Sequence, residues 1–154
     1  MKELPTILAL DPGGTTGYCL WLPDQDRVVQ GQLVLPNHHK ELYAICARGR
    51  KTTKGSFVIV CERFEFRRDE RHRDKIDYVA REYIGVVKLF VQMTLGATLF
   101  EQGASQAKQF FSDDVLKKLS VWVPGQRHAM DATRHYLYHR VFTHGDSSLL
   151  QKLK

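Results

Sequence analysis

Near its start the chain carries a mainly apolar run, Leu4 to Leu10, that stops at Asp11. Pro12, Gly13, Gly14, Thr15 and Thr16 follow, and Gly17 to Leu22 is again mostly apolar. A short apolar run closed by turn-forming residues reads as a strand rather than a helix. The stretch PDQD, Pro23 to Asp26, makes another turn. Val28 to Leu35 then reads as a third strand, with Gln30 and Gln32 alternating with Val29 and Leu33. Three strands joined by short turns predict an antiparallel meander. Asp11 is then the first residue past a buried strand able to reach solvent. It is either a turn opener, as Asp-Pro-Gly commonly is, or half of a metal site.

The rest of the chain alternates. Lys40 to Arg50 has helical character, and Phe57 to Cys61 is a fourth strand, apolar throughout and so covered on both faces. A polar loop leads to a helix from Ile76 to about Leu95. Its apolar face, Ile76, Val79, Tyr83, Val86, Val87 and Phe90, is widened by Ile84, Leu89 and Met93. That stripe is broad enough for the sheet and for a second subunit. ATLFEQ, residues 97–102, is a fifth strand. Helical pieces follow at Ser105 to Phe111 and Asp113 to Leu119, and a last helix at Gly125 to Thr143. The basic end of that helix, Arg134, His139 and Arg140, suits its dipole. The expected fold is α/β: a ribonuclease-H-like mixed five-stranded sheet, antiparallel meander then parallel strands, with helices on both faces. No linker or repeat divides the 154 residues, so one domain over 1–154 is expected.

Cys19, Cys46 and Cys61 lack metal-type spacing and are odd in number, which points to free thiols in a reducing compartment. With no signal pattern and no membrane-spanning run, the expectation is a cytoplasmic protein without membrane contact. The net charge of +6 suits a phosphate-rich partner.

Three acids stand out by position. Asp11 ends the first strand and Glu62 the fourth, so parallel neighbours would bring both carboxylates to one sheet end. Asp131 lies on the last helix with His128 one turn before it. Crowded carboxylates repel, and a divalent cation removes that cost. Mg²⁺ and Mn²⁺ prefer such oxygens, and two ions about 4 Å apart can clamp the attacking and leaving oxygens of a phosphodiester. His135 and His139 continue the same helix but are expected to be carried away from the sheet edge, with structural or DNA-proximal roles.

The segments ILALDPGGTTGY, VIVCERFEF and HAMDATRHYL, in that order, resemble the three catalytic segments of RuvC-type Holliday-junction resolvases, above all the short bacteriophage forms. The resemblance implies a crossover-junction endodeoxyribonuclease in which Asp11, Glu62 and Asp131 are metal-binding catalytic carboxylates. His128 stands where many relatives carry a further carboxylate. It is either a second-metal ligand or a proton donor to the leaving 3′-oxygen. A homodimer acting on four-way or otherwise branched DNA is implied, with Mg²⁺ or Mn²⁺ and no small-molecule cofactor. A phage-encoded chain would work in the host cytoplasm.

The loop after Glu62 resembles the family's junction-contacting loop. There Phe64 or Phe66 would stack on a base, and Arg63, Arg67, Arg68, Arg71, Arg73 and Lys75 would meet phosphates. Lys108, in ASQAKQF, resembles a family lysine and is a further candidate DNA contact. Three rivals were weighed. Sugar kinases and actin-like ATPases share a DxGGT turn, but they need two lobes and a second phosphate loop. A YqgF-type RNA-processing nuclease has the same acids on a shorter frame. A non-catalytic nucleic-acid-binding module would need no acids.

Overall fold

A computed structural model describes residues 4–34, 38–64 and 73–153. β1 (Thr6–Asp11), β2 (Thr15–Leu22) and β3 (Arg27–Val34) come first, then α1 (His38–Thr52) and β4 (Phe57–Glu62). α2 (Arg73–Met93) and β5 (Ala97–Gln102) follow. α3 (Ala104–Phe110), α4 (Asp113–Lys118), α5 (Arg127–Tyr138) and α6 (Ser148–Gln151) complete the chain, with a π-helical turn at His139–Thr143 between the last two.

The five strands form one sheet in the order β3-β2-β1-β4-β5. β1 and β3 pair antiparallel with β2, and β4 runs parallel to both β1 and β5. This is the α/β, ribonuclease-H-like arrangement expected from the order of apolar runs. The alternation of side chains along β1 explains its two faces. Ile7 and Ala9 face one core with Cys19, Trp21, Val58 and Val60, covered by α5 and by Phe111 and Leu116. Leu8 and Leu10 face the other with Leu20, Phe57, Ile59 and Cys61, covered by Leu42 and Cys46 of α1 and by Tyr83, Ile84, Val87 and Phe90 of α2. Strands buried on both faces read as unbroken apolar runs, as TILAL and FVIVC do.

All three cysteines are buried and unpaired. Among the described residues no helix is long and apolar enough to cross a membrane. α5 begins at Arg127, because Gly125 holds a positive φ of 74° in the turn before it.

Arg134 and Arg140 do more than face the helix dipole. Arg134 bonds Asp131, Asp113 and the Phe111 carbonyl, while Arg140 bonds Asp146 and Tyr136 and lies over the Trp21 ring. Gln30 and Gln32 are not idle polar positions on β3. Gln30 Nε2 donates to the Val121 carbonyl at 2.9 Å and to Thr133 Oγ1 at 2.6 Å. Gln32 Oε1 accepts from the His128 backbone N–H at 3.0 Å. That N–H is one of the donors a helix start leaves unpaired, so β3 fastens the first turn of α5 to the sheet.

Candidate active site at the sheet end

The parallel register Leu10↔Cys61 sets the ends of β1 and β4 side by side, so Asp11 and Glu62 leave the sheet together. They are near enough for the charge of Glu62 to raise the pKa of Asp11. α5 crosses over these strand ends, and its approach depends on Gly17, the register partner of Asp11. A Cβ at Gly17 would lie 1.9 Å from the His128 carbonyl oxygen, where no side chain can fit. The bare α-carbon lets the first turn of α5 sit directly on β2.

Each acid then meets a base, and α5 supplies most of them. His128 Nδ1 lies 2.9 Å from Asp11 Oδ2, with the imidazole 42% exposed. Asp131 is buried; Arg134 Nη1 donates to its Oδ1 at 2.8 Å, and Lys108 Nζ of α3 lies 3.0 Å from its Oδ2. Arg134 also reaches Asp113, which ties α4 to the site. His135 Nε2 lies 3.0 Å from Glu62 Oε2, and its Nδ1 lies 2.9 Å from Gln102 Oε1.

The expectation that α5 carries His135 away from the sheet edge is therefore wrong. Seven residues of helix rise about 10 Å, and strands are spaced about 4.8 Å apart. From His128 over β1, two turns bring the helix across to β4 and β5 rather than clear of the sheet. His139, by contrast, is buried against Phe100, and burial lowers its pKa to about 4, which suits a structural role.

The electrostatics record the crowding. Burial, then the charge of Glu62, raise the Asp11 pKa from 3.8 to about 6, and Asp131 adds to this; His128 opposes it. Burial also pushes Glu62 upward. The bond and charge of His135, with Lys108 and Asp11, outweigh that and leave its pKa below 4.5.

The chemistry of the donor set fits a hard divalent cation: carboxylates of Glu62 and Asp131 near enough to act on that of Asp11, and one imidazole. In the arrangement seen, Lys108 and Arg134 supply the positive charge at Asp131. Among the described residues no group of three or more His, Cys, Asp or Glu side chains has the arrangement of a metal site.

The candidate DNA-contacting residues divide. Phe66, Arg67, Arg68 and Arg71 lie outside the described residues, as do the side chains of Arg73 and Lys75 in the first turn of α2. Arg63 is exposed directly after Glu62. Phe64 is half-buried against the α2-side core, with the Arg81 guanidinium 5.0 Å from its ring centre. A groove of about 370 Å³ opens there, lined by Arg63, Phe64, Arg81, Gly85, Lys88 and Glu101. Lys108 belongs to the acid cluster itself. Sequence reasoning missed His135, Gln102, Arg134 and Gly17. For His135 a signal existed, since His128, Asp131 and His135 fall at i, i+3 and i+7 on one helix face.

No family model matches the chain, and no curated protein matches it.

Proposed function

We propose that this chain is a metal-dependent endonuclease of the RuvC-like kind, acting on four-way or other branched DNA. It would hydrolyse a phosphodiester to leave 5′-phosphate and 3′-hydroxyl ends. The observation that carries the reading is the convergence of Asp11 and Glu62 at neighbouring strand ends, with Asp131 near enough to raise the pKa of Asp11. Three buried or half-buried acids in one place cost stability unless positive charge is brought to them.

Asp11, Glu62, Asp131 and His128 would hold Mg²⁺ or Mn²⁺, which when bound activate water and offset charge on the phosphate. Lys108 would then give up Asp131 and become available to a substrate phosphate. Where His128 does not ligate the metal, its exposed ring beside Asp11 is suited to pass a proton to the leaving 3′-oxygen instead. Arg63 and the groove beside it offer positive charge to the flanking backbone.

Opposed cuts in a symmetric junction require two sites related by a two-fold axis, hence a homodimer. α2 favours that role because Tyr78, Leu89 and Met93 leave 61%, 57% and 78% of their surface exposed. Leu89→Glu is expected to give monomers that bind but do not resolve junctions, read by sedimentation and gel shift. An unchanged sedimentation profile removes α2 as the interface.

A second reading, a non-catalytic nucleic-acid-binding module, is favoured by one observation: each acid already has a basic partner. Four-way junction, duplex DNA and structured RNA, each with Mg²⁺, Mn²⁺ or EDTA, separate these readings. Paired metal-dependent nicks in the junction support the resolvase. Binding without cutting supports the module, and RNA-only cutting supports a YqgF-type nuclease.

A further inference from the structure

We propose that His135 is the positioning residue for Glu62 and is itself held by Gln102, so that a chain of three side chains fixes the glutamate at the sheet end. The role in catalysis rests on the nuclease reading above; the bracket itself stands on geometry.

Glu62 and Gln102 are register partners at the ends of β4 and β5, and the Arg63 N–H extends the ladder to the Gln102 carbonyl at 2.6 Å. His135, fully buried on α5, spans the pair: Nε2 is 3.0 Å from Glu62 Oε2 and Nδ1 is 2.9 Å from Gln102 Oε1. A histidine that only filled the core would need neither bond. This one is gripped at both nitrogens and cannot turn about its ring axis without losing both. One oxygen of Glu62 is thereby committed to His135, and the other is left to Asp11 and the site.

Gln102 is 7% exposed, and among the described residues its Nε2 has no hydrogen-bond partner. Its amide can therefore present either its oxygen or its N–H to Nδ1. With the amide N–H facing Nδ1, a neutral ring donates Nε2–H to the glutamate; with the oxygen facing Nδ1, the ring donates from both nitrogens only as an imidazolium. Both nitrogens have a partner either way. Outer partners of this kind set the orientation of a ligand carboxylate, and their loss typically lowers metal affinity or activity about 10–100-fold.

His128 offers no such grip on Asp11. Its ring is 42% exposed and its one side-chain partner among the described residues is the aspartate. The difference predicts that His135, not His128, is the imidazole whose hydrogen-bonding geometry the site depends on.

The test compares His135→Leu, which keeps volume but no hydrogen bond, with His135→Gln, whose amide nitrogen reaches the place of Nε2, and with Gln102→Leu. Thermal unfolding and junction binding are measured in EDTA, Mn²⁺ binding by titration calorimetry, and cleavage in single turnover. His135→Leu should bind junction as the wild type does, bind Mn²⁺ about 10–100-fold more weakly and cleave about 10–100-fold more slowly, while His135→Gln recovers most of both. Wild-type Mn²⁺ affinity and cleavage in His135→Leu overturn the proposal. So does a His135→Gln protein as impaired as His135→Leu with an equal loss of melting temperature. Ring ¹⁵N signals of His135, recorded without metal, give an arm independent of activity. Nε2 should shift in Glu62→Ala and Nδ1 in Gln102→Leu; unmoved signals overturn the bracket. A wild type that shows the shifts but neither binds Mn²⁺ nor cuts leaves the bracket in place and removes the nuclease reading.

Discussion

The ends of β1 and β4 are neighbours in one sheet, both carry an acid, and both meet a histidine of α5, yet the two acids are held in opposite ways. Asp11 is buried, faces two other carboxylates and has an exposed imidazole as its counterweight; its pKa rises to about 6. Glu62 is less buried and bonds a fully buried imidazole anchored on Gln102; its pKa falls. Place in the sheet does not decide the charge state of a strand-end acid. The partner and how firmly it is held do. Asp11 is the member of the pair whose charged form its surroundings disfavour.

The comparison can be broken at several points. Removing either acid should hit hardest. Asp11→Asn and Glu62→Gln should each lower cleavage by about 10³-fold or more, roughly 4 kcal/mol of barrier, while gel shifts show junction binding intact. Wild-type cutting by either variant ends the nuclease assignment. Next is Gly17→Ala, which drives a methyl group into the backbone of His128. The first turn of α5 must lift off β2, at a cost of about 3 kcal/mol. Denaturant titration measures that cost, and an unshifted midpoint would show that the contact can relax.

In metal-free protein the acids should also pull stability in opposite directions with pH. The raised Asp11 contributes fully below about pH 4, and that contribution is lost as pH climbs through about 6. The lowered Glu62 contributes above about pH 4.5 and is lost as pH falls further. Asp11→Asn should therefore raise stability at pH 8 in EDTA by about 2 kcal/mol and flatten the fall between pH 4 and 7. A variant that melts no higher than wild type there shows that Asp11 is not strained. The smallest effect belongs to His128→Gln, whose exposed pair with Asp11 should cost about 1 kcal/mol or less, read by the same titration.

Much of this was legible in the chain. TILAL and FVIVC are runs that only a doubly covered strand tolerates, and their lengths gave the order of elements and the ribonuclease-H-like sheet. The convergence of Asp11 and Glu62 followed from the parallel pairing that this order implies. The basic partners did not follow, for a physical reason. A polar side chain bonds to whatever element lies above it, and sequence spacing says nothing of the angle at which α5 crosses the strands. Gln30 and Gln32 therefore read only as strand polars, and Lys108 as a DNA contact, not a partner of Asp131. For His135, spacing alone equates two turns of helix with distance from the site, whereas on an oblique helix they are travel across it. Gly17 gave no signal as a contact, since a glycine next to a Gly-rich turn already has a reason to be there.

That glycine has a wider consequence. The strand beside Asp11, β2, meets the start of the helix that carries His128 and Asp131 backbone to backbone at Gly17, a contact that no side-chain repacking can adjust. Transplanting the three acids and their bases onto another sheet would not reproduce this geometry unless the hole opposite the helix start were carried along with them. The empty position is as much a part of the site as the carboxylates it brings together.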